Sequence, residues 1–322
     1  MPRNGSGVYS LPPGSTFTPN TLIQSSVVNG INTDLATDAN TPRPIVAGGT
    51  GASTAAGARS ALGLATGTFG FIYGLMLSNN AGDTANSIDI AAGTGAEEGV
   101  SAPNLMTLAA TLTKASNVAW AVGSGNGSLD TGSIADGVYY VWLIQRSDTN
   151  VVDGLTSTSP TSPVMPASYD RKRRIGAFVR ASGSIRQFYQ DGDNFFYKTS
   201  LLSVSQVNPG TSGVLVNLST PAIKSEIIFN ATLQNSSSYN FRSSVLFSSP
   251  NQNDDVPSEL VAPLLSIGGS INAAGGTFDP AGQFRILSDT SGRIRYRVLN
   301  SDASVTLKIA VAGWVDTRGR LG

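Results

Sequence analysis

From Gly292 to Leu299 the chain alternates without a break: Ile294, Tyr296 and Val298 on one parity, Arg293, Arg295 and Arg297 on the other. Side chains of an extended strand point by turns to two faces, so this pattern predicts a strand with one packed and one wet face. Val305, Leu307, Ile309 and Val311 repeat the alternation, with Thr306, Lys308 and Ala310 between them, and Asp289-Thr-Ser-Gly292 supplies a tight turn before the Arg-bearing strand. Glu226 to Leu233 and Tyr239 to Phe247 read as two more strands. Residues 199–322 are therefore expected to form a β-sandwich.

Upstream, residues 69–198 read as a second β-rich module. Phe69 to Leu75, Ile88 to Ala91, Val138 to Ile144, Ile175 to Arg180 and Ile185 to Gln190 are strand candidates bounded by Gly, Asp, Ser and Pro. Residues 1–68 differ from both modules. Residues 1–20 have neither helical nor strand period and read as an extended segment that is ordered only by lying on something else. From Thr21 to Asp38, Val27, Val28, Ile31 and Leu35 recur at helical spacing and predict an amphipathic helix. A helix of about that length is marginal alone in water, so its stripe needs partners. Pro42-Arg43-Pro44 ends it, and Gly48-Gly-Thr-Gly51 leads into an Ala-rich helical stretch closed by Gly63 and Leu64. The fold expected is mainly β: an extended and helical N-terminal arm (1–68) followed by two sandwich-like modules.

Composition narrows the chemistry. The 322 residues include no His and no Cys, which excludes Ser-His-Asp and Cys-His nucleophile systems, His/Cys zinc sites and disulfides. Gly (36) and Pro (16) are abundant, which favours small turn-rich units over one large α/β enzyme domain. Lys and Arg balance Asp and Glu at 21 each, and the sequence carries no electrostatic footprint for nucleic acid or an anionic membrane. Neither a signal-peptide pattern nor a run of about eighteen apolar residues is seen, so no membrane insertion is expected.

Three stretches carry a resemblance. The opening MPRNGSGVYSLPPGSTFTPNTLIQSSVVNGINTDLA, the PRPIVAGGTGASTAAGARSALGL stretch, and the run from FIYGLMLSNNAGDTANSIDIAAGT through DGVYYVWLI to YDRKRRIGAFVR resemble the modular tail-fibre proteins of tailed bacteriophages. The resemblance spans roughly residues 1 to 198, and the VAGWVDTRG ending is similar to the last strand of some of these proteins. It implies a homotrimeric virion protein of the phage tail, produced in the bacterial host cytoplasm and anchored to tail proteins through residues 1–40. It also implies that the distal C-terminal module meets a bacterial surface glycan or outer-membrane receptor. Trimerisation is implied by family and helix together; the helix alone allows a dimer. The chain lacks long shaft repeats, so a structural tail adaptor or collar protein carrying a separate receptor-binding protein is the alternative. A depolymerising enzyme ranks third, and the expectation is that the chain is not an enzyme and needs no cofactor or metal.

Candidate residues follow from that reading. Val27, Val28, Ile31 and Leu35 are the oligomerisation and anchoring candidates. Arg293, Arg295 and Arg297 share one sheet face and, with Trp314, are the host-surface contact candidates, because three guanidinium forks suit a polyanionic lipopolysaccharide core. Subunit contacts are the competing use of the same stripe. Trp120 and Trp314 are expected to be less constrained than Trp142, which reads as core. Glu97-Glu98 is a poor glycosidase dyad and reads as a solvated turn. Asp191-Gly-Asp193 reads as a hairpin turn and Asp170-Arg-Lys-Arg-Arg174 as strand-edge charge paired with nearby Asp. The Gly48–Gly51 and Gly123–Gly127 runs read as linker and turn, since neither has a phosphate-binding context.

Overall fold

The computed structural model describes residue 10 and residues 16–20, 22–43, 49–64, 69–99, 103–236, 242–258, 266–270 and 279–320. The expectation for residues 1–20 therefore lies mostly outside the described residues, as do Pro44 and Gly48. Two compact units are present, one of residues 1–71 with 96–105, the other of residues 72–95 with 106–322.

The first unit holds the helices α1 (Ser25–Asn40) and α2 (Ala55–Ala61). α1 starts four residues later than its apolar period predicts and has no side-chain cap at Gln24. Thr33, Thr37 and Thr41 each donate a hydroxyl to the carbonyl four residues back, a bond that competes with regular helix geometry. Asp34 and Asp38 stand towards the negative end of the helix dipole. α2 is better punctuated. Thr54 Oγ1 accepts the Gly57 amide, and Gly63, at φ 73°, closes the helix with its amide on Ser60 O.

The chain is otherwise mainly β. Along it run β1 (Ile72–Gly74), β2 (Leu77–Asn79), β3 (Ser87–Ile90), β4 (Gly93–Ala96), β5 (Leu105–Leu108), β6 (Leu112–Ala119), β7 (Gly127–Leu129), β8 (Gly137–Gln145), β9 (Val152–Ser157) and β10 (Arg171–Ala181). There follow β11 (Ser184–Ile185), β12 (Phe188–Asp191), β13 (Asn194–Val207), β14 (Val214–Asn217), β15 (Glu226–Asn235), β16 (Arg242–Ser248), β17 (Ser266–Ser270), β18 (Ala281–Leu287), β19 (Arg293–Val298) and β20 (Val305–Val315). Four sheets result, with orders β1-β4-β5, β11-β10-β8-β9-β7-β6-β3-β2, β12-β13-β20-β15-β18 and β14-β19-β16-β17.

In the eight-stranded sheet, β8 explains its own sequence. Tyr139, Val141 and Leu143 point into one buried cluster, while Tyr140, Trp142 and Ile144 point into a second, with Leu155, Tyr169 and Ala177. A strand covered on both faces has no wet side to supply polar residues, hence the continuous VYYVWLI run.

The last two sheets face each other. Phe229 of β15 meets Phe247 of β16 edge-on at 5.1 Å, and Phe284 of β18 meets Phe247 at 4.7 Å. Ile294, Tyr296, Val298, Leu307, Ile309 and Val311 line this interior, as their alternation predicts. The five-stranded sheet takes β12 and β13 from residues 188–207, and the boundary expected at 198/199 falls inside β13. Phe195 of β13 stacks on Trp314 at 5.2 Å with 5° between planes. The hydrophobic cluster runs on from there to Leu77 and Ile175 of the eight-stranded sheet. At the join sits Gly176, where β10 bulges; a Cβ there would lie 2.7 Å from Leu77 Cδ1 and 3.0 Å from Phe195 Cζ. Gly176→Ala is therefore expected to lower stability by about 1–3 kcal/mol through overpacking, read as a fall in the urea midpoint with an unchanged slope.

Candidate functional site

The arginine stripe on β19 is where the sequence points most directly to a surface function. Its geometry follows the period-two pattern: Arg293, Arg295 and Arg297 share the outward face and are partly exposed. Each guanidinium is nevertheless engaged within the chain. Arg293 Nε donates to Asp289 Oδ2 at 2.8 Å across the β18–β19 turn. Arg295 Nη1 donates to Gln252 O at 2.7 Å and its Nη2 to Pro250 O at 3.3 Å. Arg297 Nε donates to Thr211 O, and its Nη1 to Asp254 O at 3.0 Å, with the Asp254 carboxylate 3.3 Å away. Two of the arginines thus clasp residues 250–254 over the outer face of β19 and β16, and Leu246 and Ser248 on that face are buried in consequence.

Trp314 corrects an expectation. It is fully buried, stacked on Phe195 and tilted against Tyr197, so its ring offers no surface to a receptor. β20 runs four residues beyond the predicted alternation, to Val315, and carries the ring into the core. Trp120 is half-buried: its Nε1 donates to Gly154 O at 3.0 Å and Tyr169 packs against it edge-on at 5.1 Å. Trp142 is core, as expected.

The charged motifs come together in pairs that no spacing announces. Arg174 of β10 grips Asp316 with two bonds, of 2.5 and 2.9 Å, in a buried pair. The Arg318 amide donates to the same carboxylate, and Arg173 Nη2 donates to Arg318 O at 2.7 Å. Asp193, in the tight β12–β13 turn beside Gly192 at φ 59°, receives the Arg318 and Arg320 side chains. Arg173 and Arg174, Asp193 of the QDGDN turn and the VDTRGR segment are one polar tie. Asp191 and Asp193 occupy the hairpin expected of them. Glu97 is a correction: it is buried rather than solvated, and its Oε1 accepts the Asn104 amide at 2.8 Å and Nδ2 at 2.6 Å.

A second buried pair has no sequence signal at all. Lys114 Nζ lies 3.1 Å from Asp153 Oδ1 and donates to Ala121 O and Gly123 O, with the Trp120 ring 5.7 Å away. Asp153 in turn accepts the Gly123 and Gly154 amides. Burial pushes the Lys114 amine down, against the pull of Asp153. All its donors are used, so the pair pins the Gly123–Gly127 turn, where φ is 97° at Gly123 and 79° at Gly125. Among the described residues no group of three or more Asp or Glu is placed to hold a metal ion, and no helix is long and apolar enough to cross a membrane.

The anchoring candidates stand on α1. Val27 and Ile31 are half-buried, while Val28 and Leu35 are 36% and 45% exposed.

Comparison with known proteins adds little. No protein-family profile and no curated protein matches the chain. Among solved structures, one described as the crystal structure of murine APRIL at pH 5.0 aligns over 54% of this chain and 98% of that one, at 12% identity. Its TM-score is 0.19, at which the likeness carries no argument.

Two outcomes test these polar ties. Asp316→Ala is expected to cost about 3–5 kcal/mol, because it strands a buried guanidinium, whereas Arg174→Met with Asp316→Leu regains much of the loss; chemical denaturation of the four-member cycle measures both. Acid is expected to destabilise the protein. Bidentate bonding by Arg146 holds the Asp148 carboxyl at about 2. At Asp289 burial pushes the carboxyl up, but hydrogen bonds from Arg293 outweigh it and hold the group below its ordinary value. Groups lowered on folding stabilise the protein above the unfolded carboxylate pKa of about 4 and lose that contribution as pH falls towards about 2. Melting temperature should therefore be flat above pH about 5 and fall as pH drops through that range, less steeply in Asp289→Asn.

Proposed function

We propose that the chain is a bacteriophage tail-fibre virion protein, homotrimeric, anchored to the tail by an extended and helical N-terminal arm and mediating attachment to the host cell surface. The observation that carries this reading is the stripe on α1. Val27, Val28, Ile31 and Leu35 lie along one side of a helix with no side-chain cap at its N-terminus, and in the single chain Val28 and Leu35 stay open to solvent. Sister chains or a tail protein that bury the stripe supply the stability which propensity and capping do not. The resemblance of residues 1–198 to modular tail fibres supports the virion setting. Attachment works by multivalency: each weak contact raises the effective concentration of the next, and no cofactor is required.

The engagement of Arg293, Arg295 and Arg297 with loop carbonyls, together with the burial of Trp314, favours a second reading, a structural tail adaptor that carries a separate receptor-binding protein. Purified protein is expected to have the light-scattering mass of three chains, and Val28→Asp with Leu35→Asp to reduce it to one. Antibody labelling should place it on the tail of the particle. Binding to host cells with inhibition of infection supports the fibre. Tail labelling without cell binding supports the adaptor, and absence from the particle overturns both.

A further inference from the structure

Of the five lysines only Lys114 is buried. It stands on β6, in a sheet where β7 separates β6 from β9, and its side chain reaches Asp153 of β9 across the Gly123–Gly127 turn that leads into β7. Both side chains are withdrawn from water, at 0% and 1% exposure, with Nζ 3.1 Å from Asp153 Oδ1. Gly154 leaves room for the lysine stem: a Cβ there would lie 3.2 Å from Lys114 Cγ, beside Ile90 and Leu112.

An ion pair in so dry a place is costly to hold, since desolvation of the two charges can exceed their attraction. Burial is also the largest influence on the Lys114 amine and acts against its charged form. Passing a proton from Nζ to Asp153 Oδ1 gives a neutral amine and a carboxylic acid. The amine keeps two hydrogens for Ala121 O and Gly123 O, at 2.7 and 3.2 Å, so its lone pair is left on the side of the carboxyl. On that carboxyl the Gly123 amide donates to Oδ2 at 2.7 Å and the Gly154 amide to Oδ1 at 2.6 Å. Two such donors polarise Cγ and steady the oxyanion formed on attack. Nucleophile, electrophile and oxyanion donors are thus already gathered by the fold, and their approach costs no further entropy.

We propose that Lys114 and Asp153 join in the folded protein through an isopeptide bond between Nζ and Cγ. Nζ attacks Cγ, the Cγ–Oδ1 bond breaks, and Oδ1 departs with both protons that Nζ gives up, one moved before the attack and one after it. The products are one secondary amide and one water, so no oxidant, cofactor or nucleotide is consumed. The remaining N–H stays on a turn carbonyl, and Oδ2, now the amide oxygen, keeps its bond from the Gly123 amide. A buried ion pair is exchanged for a neutral, hydrogen-bonded group, which favours the product. The bond ties β6 to β9 as a disulfide would, in a chain that has no cysteine. Arg174 with Asp316 is the contrast within the same molecule: a guanidinium stays protonated and offers no nucleophilic lone pair, so that pair remains ionic. The proposal is independent of the virion reading.

Mass spectrometry of the full-length wild-type protein, folded at neutral pH and then denatured, tests it. The intact mass is expected to fall short of the sequence mass by one water, and proteolysis to release a branched peptide in which the segments around Lys114 and Asp153 share one amide. Lys114→Arg is expected to show the full sequence mass. The Asp153-Gly154 step can lose water by itself, as a succinimide, and that product differs on every count: its peptide is linear, it persists in Lys114→Arg, and hydroxylamine cleaves it. A full intact mass for the wild-type protein after prolonged incubation overturns the proposal. So does a water loss that maps to a linear peptide or persists in Lys114→Arg. The wild-type peptide map decides the matter by itself, whatever the stability of the variant.

Discussion

Phe195 lies flat on Trp314, and on its other flank the absence of a side chain at Gly176 lets β10 of the eight-stranded sheet come close. That contact is where the two interiors of the larger unit become continuous. Two large rings in near-parallel register bury far more apolar area than any single aliphatic pair. The bulge at Gly176 brings Leu77 into the same packing. Through it the interior of the eight-stranded sheet and the interior between the last two sheets become one hydrophobic cluster. The polar tie of Arg174 to Asp316 and of Asp193 to Arg318 and Arg320 closes over the same region. A ring stack with a charged clasp beside it joins strands more than a hundred residues apart in sequence.

The chain spends its few charges inwardly. Arg295 and Arg297 hold the 250–254 segment, Arg174 and Arg318 hold the end of β20, and Lys114 with Asp153 holds a glycine turn. Taking one partner from a buried pair leaves an uncompensated charge, so these ties make local geometry unique even where their net contribution is small. With so many cations engaged, recognition by a bare basic surface is a poor description of this molecule. Exposed apolar residues on α1 are better candidates for contacts with other chains.

Where the sequence could be read, local sterics spoke for themselves. The alternation in β19 and β20, the Asp289–Gly292 turn and the apolar run of β8 all concern neighbours in the chain, and their strands sit close to the expected bounds. β6, β7, β9 and β14 were not legible. β9 has Gly154 at its centre because Ile90 and Lys114 lean over it, and a glycine in that place reads as a break. β13 mixes aromatic and Ser-rich halves, and reads as a change of composition where the structure has one fourteen-residue strand. Of the candidate residues, the shared face of Arg293, Arg295 and Arg297 follows from periodicity. What their guanidinium groups touch does not, since the carbonyls of Pro250, Gln252 and Asp254 are brought there by tertiary packing.

By itself the sequence determined that this chain is β-rich, which residues of β19 and β20 face inward, and that His- and Cys-based chemistry is absent. Those conclusions rest on properties of single residues and of near neighbours: the alternation of strand side chains, the turn geometry of Gly and Asp, and the presence or absence of a functional group. Only the tertiary structure decided that Trp314 is core, that Arg174 meets Asp316, and that Lys114 pairs with Asp153. Each of these is a matter of which distant segments exclude water from each other, and that is set by the packing of whole sheets, where the missing side chain at position 176 leaves room for Leu77 and the Phe195 ring.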